Sequence, residues 1–115
     1  MKSPREEKVK ELLRRLGAAP NYTGFHYLVE AVLLCTEEES KLLSVTKTLY
    51  PETARHFSVS PSAIERDIRT VIKIIWQRNQ SLLNEIAGYQ LTKQPTASQL
   101  LSIIVGYMSL SGQNL

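Results

Sequence analysis

The chain has 115 residues, 43% of them hydrophobic, and no apolar run near the roughly 20 residues that span a bilayer, which excludes a membrane span and widespread disorder and fits one compact domain. Cys35 is the only cysteine, which excludes an internal disulfide and a cysteine-based zinc site. The net charge is +3, modest for a nucleic-acid binder, so its placement along the chain carries more information than its size.

The N-terminus, "MKSPREEKVKELLRRLG", is charged throughout and lacks the apolar centre of a signal peptide, so a soluble cytoplasmic protein is the simplest reading. The pattern is helical nearly everywhere. A first helix is expected from Pro4 to Leu16, with Val9, Leu12, Leu13 and Leu16 inward and Gly17 ending it. "AAPNYTG" reads as a loop. A second helix covers Phe25 to Cys35, with Tyr27, Leu28, Ala31, Val32 and Leu34 or Cys35 as its apolar side, before "TEEES" breaks the pattern. The next segment, "KLLSVTKTLYPETARHF", is helical but interrupted: Pro51 has no N–H to donate and disfavours helix at Tyr50, so a kink or a fresh start is expected there. Ala54 and Phe57 face inward on the short piece that follows.

"SVS" links that piece to "SPSAIERDIRTVIKIIW", Ser60 to Trp76. Ser60 can serve as N-cap with Pro61 in the first turn, while Ser62 and Glu65 offer an alternative capping box. Ile64, Ile68, Val71, Ile72 and Ile75 form one apolar stripe, and Ser62, Arg66, Arg69 and Lys73 lie opposite it. Two readings fit: a core helix with a solvated back, or a helix that enters a DNA groove. A short helix, a tight link and a longer helix with an arginine face make a helix-turn-helix over residues 51–77. Small Ala54 suits a close crossing and Val59 plugs the turn, although the turn lacks the glycine often found there.

Beyond Trp76, "QRNQS" is a break and "SLLNEIAGY" a short helix closed by Gly88. Thr96 and Gln99 form a capping box ahead of a final apolar helix carrying Leu100, Leu101, Ile103, Ile104, Val105, Tyr107, Met108 and Leu110, and "SGQNL" reads as a frayed tail. The whole is an all-α bundle of about six helices in a single domain. The last helix is greasy enough to be wrapped by the domain or to leave a surface for a protein partner.

Charge separates the segments. Residues 1–44 and 81–115 are each balanced, whereas residues 45–80 hold Lys47, Arg55, Arg66, Arg69, Lys73 and Arg78 against Glu52, Glu65 and Asp67, so the excess lies around the arginine-faced helix. No catalytic constellation accompanies it. The glycines sit at helix ends without a phosphate loop, and His26 and His56 lack a metal-binding partner at helical spacing. Glu37 to Glu39 read as favourable charge at a helix start, and Cys35 as a small buried apolar residue. No enzyme activity, cofactor or metal is expected.

From Gly24 to about Met108, leaving residues 1–23 outside, the chain resembles the C-terminal effector domain of stage-zero sporulation protein A, a sporulation response regulator. The residues that carry the resemblance are "GFHYLVEA", "TKTLYP", Ala54, Phe57, "IERDIR", Trp76, Gly88 with Tyr89, and "PTAS", in order and with family-like spacing. The resemblance implies a six-helix domain that binds a short promoter box in double-stranded DNA. It also implies head-to-tail copies on tandem boxes and contact with an RNA polymerase sigma subunit. It makes Ser60–Trp76 the recognition helix and places Glu65, Arg66 and Arg69 against DNA. An arginine can hold guanine O6 and N7 together, and a glutamate can accept from cytosine N4. Ser60 and Ser62, at the helix start, suit phosphate, as does Lys73 further along the face.

Two positions depart from the family: Ala63 stands where an arginine is usual and Thr70 where a histidine is usual. The 115 residues leave no room for the phosphoacceptor receiver that precedes this module in the family. A whole gene product of this length would escape direct control by phosphorylation, while an excised fragment would raise no such question. The sequence therefore supports a sequence-specific DNA-binding transcription regulator. The alternative is a degenerate relative that works as a protein-interaction module through its apolar last helix.

Overall fold

A computed structural model describes residues 3–113, with side chains to residue 110, and contains six α-helices and no strand among them. Helix α1 (Pro4–Leu16) begins where the Ser3 hydroxyl accepts from Glu6 N–H at 3.0 Å, and it ends at left-handed Gly17. Its buried stripe is Val9, Leu12, Leu13 and Leu16. Helix α2 (Thr23–Glu37) is longer than the apolar pattern suggests at both ends, because Thr36 and Glu37 continue the hydrogen-bonded ladder beyond the last inward residue, Cys35. Phe25, Leu28, Ala31, Val32 and Cys35 are wholly buried, and α2 packs on α1, α3, α4 and α6.

The acidic run is not grouped at a helix start as the sequence suggests. Glu37 ends α2, Glu38 lies between elements, and only Glu39 opens the 3₁₀ segment Glu39–Leu43. A π-helical turn, Val45–Leu49, then leads into α3 (Tyr50–Phe57), where Pro51 lies in the first turn. Tyr50 is itself helical (φ −63°, ψ −46°) and follows helical Leu49 (φ −66°, ψ −48°), so the helix expected to be disfavoured before Pro51 is present, and the chain passes there from π to α register without a fresh start. Thr53, the one buried polar residue among the described residues, donates its hydroxyl to the Leu49 carbonyl at 2.8 Å across this junction.

Helix α4 (Pro61–Arg78) buries Ile64, Ile68, Val71, Ile72 and Ile75 against α2, α3 and α6. It stops at Asn79, whose side chain works in two directions. Its oxygen accepts from Leu82 N–H at 3.1 Å to cap α5 (Gln80–Ala87), and its amide donates to the Arg15 carbonyl at 2.9 Å. Arg78 donates to the Gly17 carbonyl at 3.2 Å, so the α4–α5 joint is tied to the end of α1.

Helix α6 (Ala97–Gln113) starts with the Thr96 hydroxyl accepting from Gln99 N–H at 3.1 Å. Only half of the expected box is made: the Gln99 side chain is turned to Tyr89, with Nε2 donating to the Tyr89 hydroxyl at 3.2 Å. Leu100, Leu101, Ile103, Ile104 and Val105 are buried, which accounts for most of the apolar surplus of α6. Of the tail "SGQNL", residues 111–113 continue α6 and residues 114–115 lie outside the described residues.

Candidate nucleic-acid interface

The link between α3 and α4 fixes how α4 leaves the core. Ser58 N–H bonds to the Arg55 carbonyl at 3.4 Å and Val59 N–H to the Ala54 carbonyl at 3.1 Å, the pattern that closes a helix on a left-handed residue. Ser58 adopts that conformation (φ 56°, ψ 45°) and is the one non-glycine residue with positive φ among the described residues. It fills the place where the sequence lacks the turn glycine. Val59 packs against the core, and Phe57 meets Tyr27 of α2 with ring centroids 4.8 Å apart. Ala54 is buried at the α3–α4 contact. The first helix and the turn are thus anchored on both sides.

A second close approach sets the depth of α4. At Gly24 the α2 backbone lies directly on the α4 backbone: a Cβ there would overlap the Asp67 carbonyl, with its carbon 2.6 Å away, and would meet Val71 Cγ2 at 2.8 Å. With its inner face held by this crossing and by the isoleucine stripe, α4 presents its outer face in a fixed orientation.

Ser60, Ser62, Arg66, Arg69 and Lys73 are all exposed, and Glu65 is half-exposed. Ser62, Arg66, Arg69 and Lys73 recur at helical spacing over about 16 Å of helix, a length that fits within a DNA major groove. Ser60 is the N-cap: its hydroxyl accepts from Ala63 N–H at 3.2 Å, so the capping box at Ser62 and Glu65 is not used. The cap leaves the Ser60 hydroxyl hydrogen free to donate.

The two arginines are 73% and 71% exposed at the side chain, yet neither is unpartnered. Arg69 Nη2 lies 3.6 Å from Glu65 Oε1, one turn away. Arg66 donates from Nε to Asp67 Oδ1 at 3.2 Å and from Nη2 to Asp67 Oδ2 at 3.5 Å. That hydrogen bond, with the carboxylate charge behind it, holds the Arg66 guanidinium above its already high pKa, so it is cationic at every accessible pH. Thr70 turns its hydroxyl back to the Arg66 carbonyl at 3.2 Å, which occupies its hydrogen.

A cleft of about 280 Å³ lies beside this face, and Glu65 and Arg69 form one wall of it. Val45, Tyr50 and Ile72 form part of the remainder, and Thr46 of the π turn and Gln94, Thr96 and Ser98 around the start of α6 add further polar side chains to its lining. Sequence reasoning missed these four residues, which are remote along the chain and carry no charge. It missed Asp67 as well, which in the sequence is one more acid on a polar helix face.

The other chemistry-bearing residues lie elsewhere. His26 Nε2 is 2.7 Å from the Pro20 carbonyl, and His56 Nε2 is 3.7 Å from Glu30 Oε1. Cys35 is buried, and the loss of solvent pushes its thiol up to about 11. Among the described residues no three His, Cys, Asp or Glu side chains come together as a metal site, and no helix is long and apolar enough to cross a membrane.

The family model described as "Sporulation initiation factor Spo0A C terminal" matches residues 9–108. The match begins inside α1, not at Gly24, and includes all of α2 to α5 and most of α6.

Proposed function

This chain belongs to the Spo0A C-terminal family and is a sporulation-related DNA-binding effector domain, and from that premise we propose that it is a sequence-specific transcription regulator whose helix α4 reads the major groove. The observation that carries the proposal is the outer face of α4, exposed and cationic on a helix whose inner face is locked to the core. Arg66 and Arg69 each supply the paired donors that match guanine O6 and N7, and Glu65 supplies the acceptor that matches cytosine N4. Ser60 and Ser62, at the N-terminal end of α4, meet phosphate, where the helix dipole adds to their hydroxyls. Lys73 meets phosphate further along the face and contributes affinity without sequence preference.

With Ala63 in place of the family arginine and Thr70 bonded to its own helix, the face carries fewer base-directed donors. Each missing paired contact is worth about 1–3 kcal/mol of discrimination, so the preferred box differs from the family's or is bound more weakly. Two copies on tandem boxes, and contact with an RNA polymerase sigma subunit, are part of the same proposal. Neither base chemistry nor bond cleavage enters: the chain acts by occupying promoter DNA.

A second reading, a protein-interaction module, is favoured by one observation. A groove of about 460 Å³ runs between α5 and α6, lined by Ile86, Tyr89, Ile103, Tyr107 and Leu110, and Tyr89 and Leu110 are 51% and 63% exposed. Fluorescence anisotropy of a labelled duplex with two tandem sporulation-type boxes, against a scrambled duplex at two salt concentrations, separates the readings. Tighter binding to the boxes, weakening as salt rises, is expected of a DNA reader. Random-site selection that enriches no sequence would refute base reading and leave the α5–α6 groove as the working surface.

A further inference from the structure

We propose that Asp67 is a positioning residue for base reading: it grips one edge of the Arg66 guanidinium so that the opposite edge faces a guanine. The inference rests on the DNA-reading role given above to Arg66 and extends it to the residue that sets its aim.

The geometry is specific about which edge is taken. Asp67 accepts from Nε at 3.2 Å and Nη2 at 3.5 Å, the side edge of the fork. Nη1 and the outer hydrogen of Nη2 remain, and these form the end edge that can donate two parallel bonds to O6 and N7 of one guanine. Arg66 is 73% exposed, so without a partner it would lose its rotamer freedom only on docking.

Asp67 is better fixed than the residue it holds. Its side chain is short and 25% exposed. Its own backbone is pinned, because the Asp67 carbonyl is the group against which Gly24 of α2 packs. Orientation therefore passes from the α2–α4 crossing to Asp67 and from Asp67 to the Arg66 fork. A carboxylate here also repels phosphate, so it lowers sequence-independent binding while it orders the base-reading group. Both effects raise the ratio of specific to non-specific affinity.

Random-site selection against the wild-type chain supplies the preferred duplex, and Asp67→Asn is then compared with wild type on that duplex and on a scrambled one. The expected result is tighter binding to the scrambled duplex together with a preference reduced by about tenfold, which corresponds to about 1.4 kcal/mol. An asparagine at this position would keep one acceptor oxygen, so Asp67→Ala, which removes both, is read in the free protein: the Arg66 Nε–H resonance is expected to exchange faster there than in wild type while backbone amide signals outside α4 stay in place. Equal weakening on both duplexes, or an unchanged preference, overturns the role of Asp67. In that case Arg66→Ala, by abolishing the preference, would show that Arg66 still reads DNA. A wild-type chain that enriches no sequence overturns base reading itself, and the role of Asp67 with it.

Discussion

Adding one methyl group to Gly24 perturbs the whole arrangement of α2 and α4. An ideal Cβ at this position would lie 2.6 Å from the Asp67 carbonyl carbon and 2.8 Å from Val71 Cγ2, and it would overlap the Asp67 carbonyl oxygen itself. Carbon atoms rest at about 3.5–4.0 Å, so the neighbours must retreat by about 1 Å. Val71 can adjust a rotamer, but the carbonyl belongs to a helix backbone and moves only if α4 moves with it. A retreat of that size forfeits a quarter to a half of the dispersion energy at each contact along the seam between α2 and α4. Overpacking of cores costs about 1–3 kcal/mol, and the higher helix propensity of alanine returns about 0.5–1 kcal/mol of it. Because backbone and not a flexible tip must yield, the cost lies at the upper end and the net loss for Gly24→Ala is expected at about 2–2.5 kcal/mol, a fall in Tm of about 10 °C. Urea and thermal unfolding followed by circular dichroism measure it. Gly106→Ala is the internal control: nothing lies within 4 Å of a Cβ there, so that variant should gain about 0.5–1 kcal/mol. A Gly24→Ala protein as stable as wild type would show that α2 and α4 do not meet backbone to backbone, and the account of how α4 is aimed would fail.

Arg66→Ala should abolish sequence preference in anisotropy while leaving Tm within about 2 °C, since the side chain is exposed and away from the isoleucine stripe; retained preference would refute its assignment. Ile68→Ala, by contrast, empties a fully buried position and should cost about 2–5 kcal/mol in urea unfolding, and retained stability would mean that the two faces of α4 are reversed. Ser58→Gly should stabilise by about 0.5–1 kcal/mol, because relief of left-handed strain of about 1–2 kcal/mol exceeds the extra chain entropy glycine brings to the unfolded state; a loss of stability would contradict the left-handed turn. Stability should also fall in alkali. Burial raises Cys35 from about 9 to about 11 and Tyr50 from about 10 to about 12, so between those values the unfolded chain has lost protons that the folded chain still holds. Their contribution is complete below about pH 9 and is lost progressively as pH rises towards 12, which unfolding at stepped pH would reveal as a decline with no plateau in that range.

The helices were legible where one residue carries both a local and a global signal. Gly17 and Gly88 end helices by local conformation, Ser60 begins one by capping, and the isoleucines of α4 repeat at a spacing only a helix puts on one side. Extensions without apolar residues were not legible: Thr36 and Glu37 join α2 because the hydrogen-bond ladder continues, which hydrophobic period does not register. Of the Thr96–Gln99 box only the Thr96 cap forms, and the Gln99 side chain turns to Tyr89, ten residues away, a contact that local spacing does not register. On the outer face of α4 the exposed charged residues stood out by spacing, as did the short turn before them. The Arg66–Asp67 grip did not, because adjacent helical residues diverge on average and only the actual rotamers bring these two together. Thr46, Gln94, Thr96 and Ser98 were invisible for a different reason: they reach the cleft beside α4 through the tertiary fold alone.

The central claim is that the outer face of α4 is the surface that meets DNA, and a titration of ¹⁵N-labelled protein with a duplex carrying tandem boxes tests it most directly. The account predicts amide shifts concentrated from Ser60 to Lys73, with smaller shifts around Thr46 and Thr96 and little change at Tyr89 and Tyr107. Shifts centred on the α5–α6 groove, or none at saturating duplex, would contradict it.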